Sequence, residues 1–180
     1  MTRGPLRGSF WPTRRQLLIL RVIAASDSEV SDLWAELRPQ LELERLELGS
    51  YDLMPLLYRR LENSVPQDPV LAKLAGIYRK TWYTNQLELS RVAPALAAVV
   101  DAGADPLVIN GWELVLGYYR DRGVRAVTGL ELLVQPDRFI AAERALYAAG
   151  WQLDARAASR LPQRMSSIRL VRDVTACVLH

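Results

Sequence analysis

Leucine and other apolar residues recur at three- and four-residue intervals through "RQLLILRVIAA" (15–25), "VSDLWAELRPQLELERLEL" (30–48) and "DLMPLLYRRLEN" (52–63), the spacing of amphipathic helices. Thr13 with Gln16 and Ser26 with Glu29 stand at capping-box spacing ahead of the first two. Pro39 should kink or interrupt the second, and Leu53, Leu56, Leu57 and Leu61 should share one face of the third. Asp68-Pro69 reads as an N-cap followed by proline in the first turn. The stretch 70–103 then continues as one long helix or two consecutive ones, with a bend at Pro94 and a stop at Gly103. Trp82, Tyr78 and Tyr83 lie near Arg79-Lys80, a mixture that suits base stacking but at helical spacing reads as core packing with a solvated opposite face.

Past Gly103 the pattern changes. "PLVI" is a short apolar strand, "WELVLGYYRDR" a helix, "LELLVQ" a strand and "PDRFIAAERALYAAG" a helix closed by Gly150. "WQLDA" is a short strand, and "SSIRLV" with "VTACVL" forms a hairpin around Arg172-Asp173. The fold class is therefore α+β: an N-terminal helical region, residues 1–102, followed by a core of residues 103–180 with a small mixed sheet flanked by helices.

Composition narrows the function. The 180 residues are 50% hydrophobic and 24% charged, enough for a sizeable core. A net charge of +3, with cations spread from Arg59-Arg60 to the stretch 156–172, argues against nucleic acid as the principal partner, which would call for a concentrated stripe. With one cysteine, Cys177, and one histidine, His180, neither an internal disulfide nor a Cys/His zinc cluster can be built. Cys177 reads as a buried structural thiol and His180 as a flexible end. No signal peptide or membrane span is legible, so a soluble protein with a cytoplasmic location is expected.

The chemistry concentrates in "VINGWELVLGYYRDRGVRAVTGLELLV". Two-metal nucleotidyl transfer needs carboxylates on the phosphate-bound cations, and acid-x-acid on a strand aims two of them at one site. A glycine ending the preceding strand lets backbone amides approach phosphate. From "DLMPLLYRRL" to "VTACVLH", roughly residues 30–180, the chain resembles the uncharacterised bacterial nucleotidyltransferase family of the DNA polymerase beta-like superfamily. Members show a strand ending Leu-Lys-Gly, a helix, a Tyr, an Arg, then Asp-x-Asp-Leu-Leu-Val. A helix ending Gly-Tyr or Gly-Trp follows, and later a strand ending in an acid and Leu-His.

The resemblance implies a nucleotidyltransferase-like fold and carries over unevenly. Gly111, Tyr119 and Arg125 match the family's glycine, tyrosine and arginine and, with Asn110 in the lysine's place, would face nucleotide or phosphate. Glu131 matches the second carboxylate, the surviving ligand for Mg²⁺ or Mn²⁺ in an active enzyme, and with Arg125 would be catalytic. Gly129 and Val178 stand where the first and third acids belong. Asn110, Gly129 and Val178 are thus degenerate positions. Glu113 is the foremost substitute acid, or else a helix-start glutamate, with Asp121, Asp137, Asp154 and Asp173 behind it. Arg125 either meets a phosphate or pairs with Glu131. Family chains run on beyond this histidine, so the chain reads as truncated or naturally short at its C-terminus.

Two functions follow from the resemblance. One is an impaired nucleotidyltransferase that binds a nucleotide, a phosphorylated ligand or a protein partner; if its frame is merely stripped, Gly129→Asp with Val178→Asp should restore Mg²⁺-dependent binding. The other is an active enzyme moving a nucleoside monophosphate from an NTP to a hydroxyl of a small molecule, sugar or protein. A third reading gives the functional contact to the helical region, residues 13–102, whose leucine-rich faces suit a protein partner or self-association.

Overall fold

A computed structural model describes residues 11–154, 168–173 and 175–180. They divide into two compact units, one running to Arg79 and the other from Lys80 to His180. The change of sequence pattern at residue 102 follows secondary structure, whereas this division follows packing and falls inside a helix.

In the first unit, α1 (Arg14–Ala24) begins with the expected capping box. Thr13 Oγ1 accepts from the Gln16 amide at 3.2 Å, and Gln16 accepts from the Thr13 amide at 2.8 Å. The second box is only half made. Glu29 accepts from the Ser26 amide at 3.2 Å, but the Glu29 amide goes to the Ser26 carbonyl at 3.1 Å, so α2 (Val30–Leu37) starts one turn later. Pro39 stops α2 as anticipated, within a 3₁₀ turn at Arg38–Gln40.

After a single turn, α3 (Leu48–Tyr51), α4 (Met54–Leu61) buries Met54, Pro55, Leu57 and Leu61. Leu53 and Leu56 are only half-buried, because the helix enters the core through Met54. Ile19, Val22, Leu37, Leu57 and Leu74 complete this core. Asp68 ties it together, accepting from the Val70 amide at 2.9 Å, Trp34 Nε1 at 3.0 Å and Arg38 Nε at 3.0 Å. Burial works against its carboxylate, but these three donors outweigh burial and hold its pKa below the ordinary aspartate value.

The long helix α5 (Val70–Asp101) is continuous through Pro94. A proline inside a helix costs on the order of 3 kcal/mol; burial of Val92, Ala95 and Val99 around it offsets that cost. Its end at Gly103 is a Schellman motif, with the Ala104 amide on the Val99 carbonyl and the Gly103 amide on the Val100 carbonyl. Trp82 and Tyr83 are 45% and 61% exposed, against the expectation of core packing.

The second unit is built on a five-stranded sheet of order β1-β2-β5-β4-β3. Its strands are β1 (Leu107–Ile109), β2 (Leu130–Leu133), β3 (Gln152–Leu153), β4 (Ile168–Arg172) and β5 (Thr175–Leu179). Only β2 and β5 run parallel; the other neighbours are antiparallel, so the sheet is mixed. One face meets Val92, Ala95 and Val99 of α5 and Ala142 and Leu146 of α6 (Phe139–Ala148), burying Leu130, Leu132, Leu170 and Cys177. The hairpin expected at 166–179 is present; residues 166, 167 and 174, and most of the cationic stretch 156–172, lie outside the described residues.

One expected helix takes a different form. Residues 112–122 contain a π-helix at Leu114–Tyr119, and Arg120 ends it in the left-handed conformation, φ 53°. The Gly111 carbonyl receives both the Leu114 and Val115 amides, and beyond it only the wider turn is made.

Candidate functional site

The register of β2 on β5 brings Glu131 beside Val178, and that of β5 on β4 brings Val178 beside Arg169. These side chains project from the sheet face opposite the core, because alternate strand residues point to opposite sides. They open onto a cavity of about 420 Å³ with a polar wall, to which Thr84, Glu88, Asn110, Arg125 and Thr128 also contribute.

The loop that carries Arg125 is held by two side chains of α5. Asn85 is fully buried; its Nδ2 donates to the carbonyls of Arg122 at 2.6 Å and Arg125 at 2.7 Å, while its Oδ1 accepts from the Val127 amide at 3.1 Å. One turn on, Glu88 Oε1 accepts from the Gly129 amide at 2.7 Å and Oε2 accepts from Thr175 Oγ1 at 3.2 Å. The Gly129 carbonyl in turn accepts from Trp112 Nε1 at 2.8 Å. Both peptide groups of the residue are thereby committed.

Gly129 is a glycine by necessity. Its φ is +74°, and a Cβ placed there would stand 2.5 Å from the Ala176 carbonyl oxygen. An aspartate cannot occupy this backbone without moving β5, so the expectation that Gly129→Asp restores a stripped metal site does not hold for this conformation. The strand also starts at Leu130, so residue 129 is not aimed alongside Glu131 as an acid-x-acid pair would be.

Glu131 is the one predicted acid on the cavity wall. Its Oε1 accepts from Asn110 Nδ2, and its Oε2 lies 3.5 Å from His180 Nε2, a buried nitrogen with no hydrogen-bond partner. Asn110 thus answers Glu131 with a neutral amide. Of the two roles open to Arg125, pairing with Glu131 is not the one adopted. The Arg125 side chain is exposed and makes no hydrogen bond or ion pair among the described residues. Arg169, across the cavity, is paired with Asp154 at 3.2 Å.

Gly111 and Tyr119 do not line this cavity. The Gly111 amide, expected to face phosphate, donates instead to Glu113 Oε2 at 2.8 Å, and Glu113, the foremost substitute acid, does not line this cavity. Tyr119 packs edge-on against Tyr118 with ring centres 5.0 Å apart. Asp121 accepts from the Gly123 amide, Asp137 lies by Arg138, and Asp173 turns the β4–β5 hairpin at φ 54°.

Glu88 is the acid that sequence reasoning missed. A signal for it exists: Thr81, Asn85 and Glu88 continue the same four-three spacing as Val92, Ala95 and Val99 on α5, so polar residues interrupt an otherwise buried stripe. Its two oxygens are nevertheless taken by donors. With Val178 apolar and Glu131 bonded to Asn110, the residues present do not fit a two-metal centre. Among the described residues no group of three or more acids, histidines or cysteines could hold a metal ion. Cys177 is no nucleophile either, since burial pushes its thiol pKa up to about 12.

Among the described residues no helix is long and apolar enough to cross a membrane. No protein-family model, curated protein or solved structure matches the chain.

Proposed function

We propose that residues 80–180 form a nucleotidyltransferase-like unit that has given up two-metal transfer and binds a phosphorylated ligand, such as a nucleotide or sugar phosphate, in the cavity at Arg125. What carries the reading is Arg125 itself, a guanidinium on a polar wall without an ion pair among the described residues, presented by a loop whose carbonyls Asn85 holds. Guanidinium forks match phosphate oxygens in a bidentate way. Glu131, on the same wall, suits the hydroxyl groups of a sugar, which donate to a carboxylate.

The resemblance gains support from order and register. β1 leads into Asn110-Gly111, α6 is followed at one residue's remove by Gly150-Trp151, and β5 ends in Val178-Leu179 with His180 next. Residues 131 and 178, the second and third acid positions that the resemblance implies, are direct neighbours across the parallel pair.

The test is calorimetric titration of each NTP and of inorganic phosphate, with and without Mg²⁺ or Mn²⁺. Binding that needs no metal and weakens roughly ten- to hundredfold in Arg125→Ala is expected, since a hydrogen bond to a charged group contributes about 1.5–3 kcal/mol. Metal-dependent binding, with transfer of label from an NTP that Glu131→Gln abolishes, would reinstate the active enzyme. No binding at all would overturn both and turn the search to protein partners.

A further inference from the structure

Glu131 and Leu133 are alternate residues of β2 and share the sheet face away from the core, about 6.6 Å apart along the strand. Leu133 opens onto a second cavity of about 850 Å³, whose walls include Leu107, Val134, Phe139, Ile140 and His180. The polar and apolar cavities therefore adjoin along one strand, and their walls meet where His180 Nε2 stands 3.5 Å from Glu131 Oε2. The apolar walls are open to solvent: Leu107 is 61%, Ile140 54% and Leu133 46% exposed, although β1 and β2 place Leu107 and Leu133 side by side.

We infer that the ligand is amphiphilic, a phosphate ester with an aliphatic chain, its phosphate on Arg125 and its chain over Leu107, Leu133 and Ile140. This rests on the phosphate reading above and extends it to a ligand class. The volume lies within the usual range for small-molecule sites, and such sites are mostly apolar with a few polar groups that fix orientation. Asp105, Gln135 and His180 also line this compartment and could pair with a nucleobase; the exposed Leu107, Leu133 and Ile140 are what favour an aliphatic chain, and adenosine monophosphate tests the alternative.

Titration of inorganic phosphate, butyl phosphate, hexyl phosphate and octyl phosphate, each below its aggregation concentration, tests the inference on the full chain. Affinity should rise about two- to fourfold per methylene, the upper figure being that of full burial. Leu133→Gln and Leu107→Gln, neutral changes of similar size at exposed positions, should flatten the series while leaving inorganic phosphate unchanged. Arg125→Ala should lower every member by one common factor. A flat series in the unaltered protein, with phosphate still bound through Arg125, overturns the aliphatic compartment alone. A series that rises but ignores Arg125→Ala keeps the compartment as an apolar site and overturns the phosphate anchor. Adenosine monophosphate binding as tightly as octyl phosphate and losing as much in Leu133→Gln would replace the aliphatic class with an aromatic one.

Discussion

The Gly129 amide donates to Oε1 of Glu88 at 2.7 Å, joining the entrance of β2 to a residue 41 positions earlier on α5. Position 129 is a backbone knot tied by the Glu88 carboxylate and the Trp112 indole. The knot and the absence of a side chain go together, because the left-handed φ that presents the amide to Glu88 would also turn a Cβ into the Ala176 carbonyl.

Gly129→Asp should therefore destabilise the second unit by about 2 kcal/mol or more, the cost of a non-glycine residue at such a φ together with the clash. It should not create Mg²⁺ binding, even with Val178→Asp. Chemical denaturation and calorimetry of the double variant check both statements; a stable double variant that takes up Mg²⁺ would show that the backbone at 129 can refold into a strand.

Asn85 uses both of its Nδ2 protons and its Oδ1 on this loop. Asn85→Leu leaves the Val127 amide and the Arg122 and Arg125 carbonyls unpaired, a loss of about 3 kcal/mol when buried groups lose partners. Hydrogen exchange at the Val127 amide should accelerate accordingly. Unchanged protection there would mean that the loop is held by something other than Asn85.

Asp68 links stability to pH in the first unit. Its folded-state pKa lies below the ordinary 3.8, so its contribution is fully present above that value and is lost as pH falls through the lowered one. Asp68→Ala should cost about 1 kcal/mol or more near neutrality from the N-cap alone. The gap between variant and parent should close in acid well below pH 3.8. Denaturation curves at the two pH values decide it, and a gap that widens in acid would reverse the assignment.

Cys177, fully buried and with its thiol pushed up to about 12, should resist aromatic disulfide reagents in the folded protein and react at once in denaturant. Rapid reaction under native conditions would show that the central strand β5 opens readily.

Local grammar alone accounts for much of this protein. The Thr13 capping box, the stop at Pro39, the cap at Asp68, the helix end at Gly103 and the hairpin about Asp173 depend on residues within a few positions of one another, so spacing and residue type are enough to read them. The leucine periodicity likewise marked the helical region and the apolar runs marked the strands. The candidate site is of another kind. Its decisive bonds, from Asn85 to Arg122, Arg125 and Val127 and from Glu88 to Gly129, span 37 to 42 residues and run between side chain and backbone. No periodicity encodes such a bond: one partner is a peptide N–H or C=O that nearly every residue possesses, and its availability depends on a backbone conformation set by packing. Spacing could therefore point to Glu131 and Arg125, while only the tertiary structure could decide that Glu88 holds the Gly129 amide and that Arg125 makes no ion pair among the described residues.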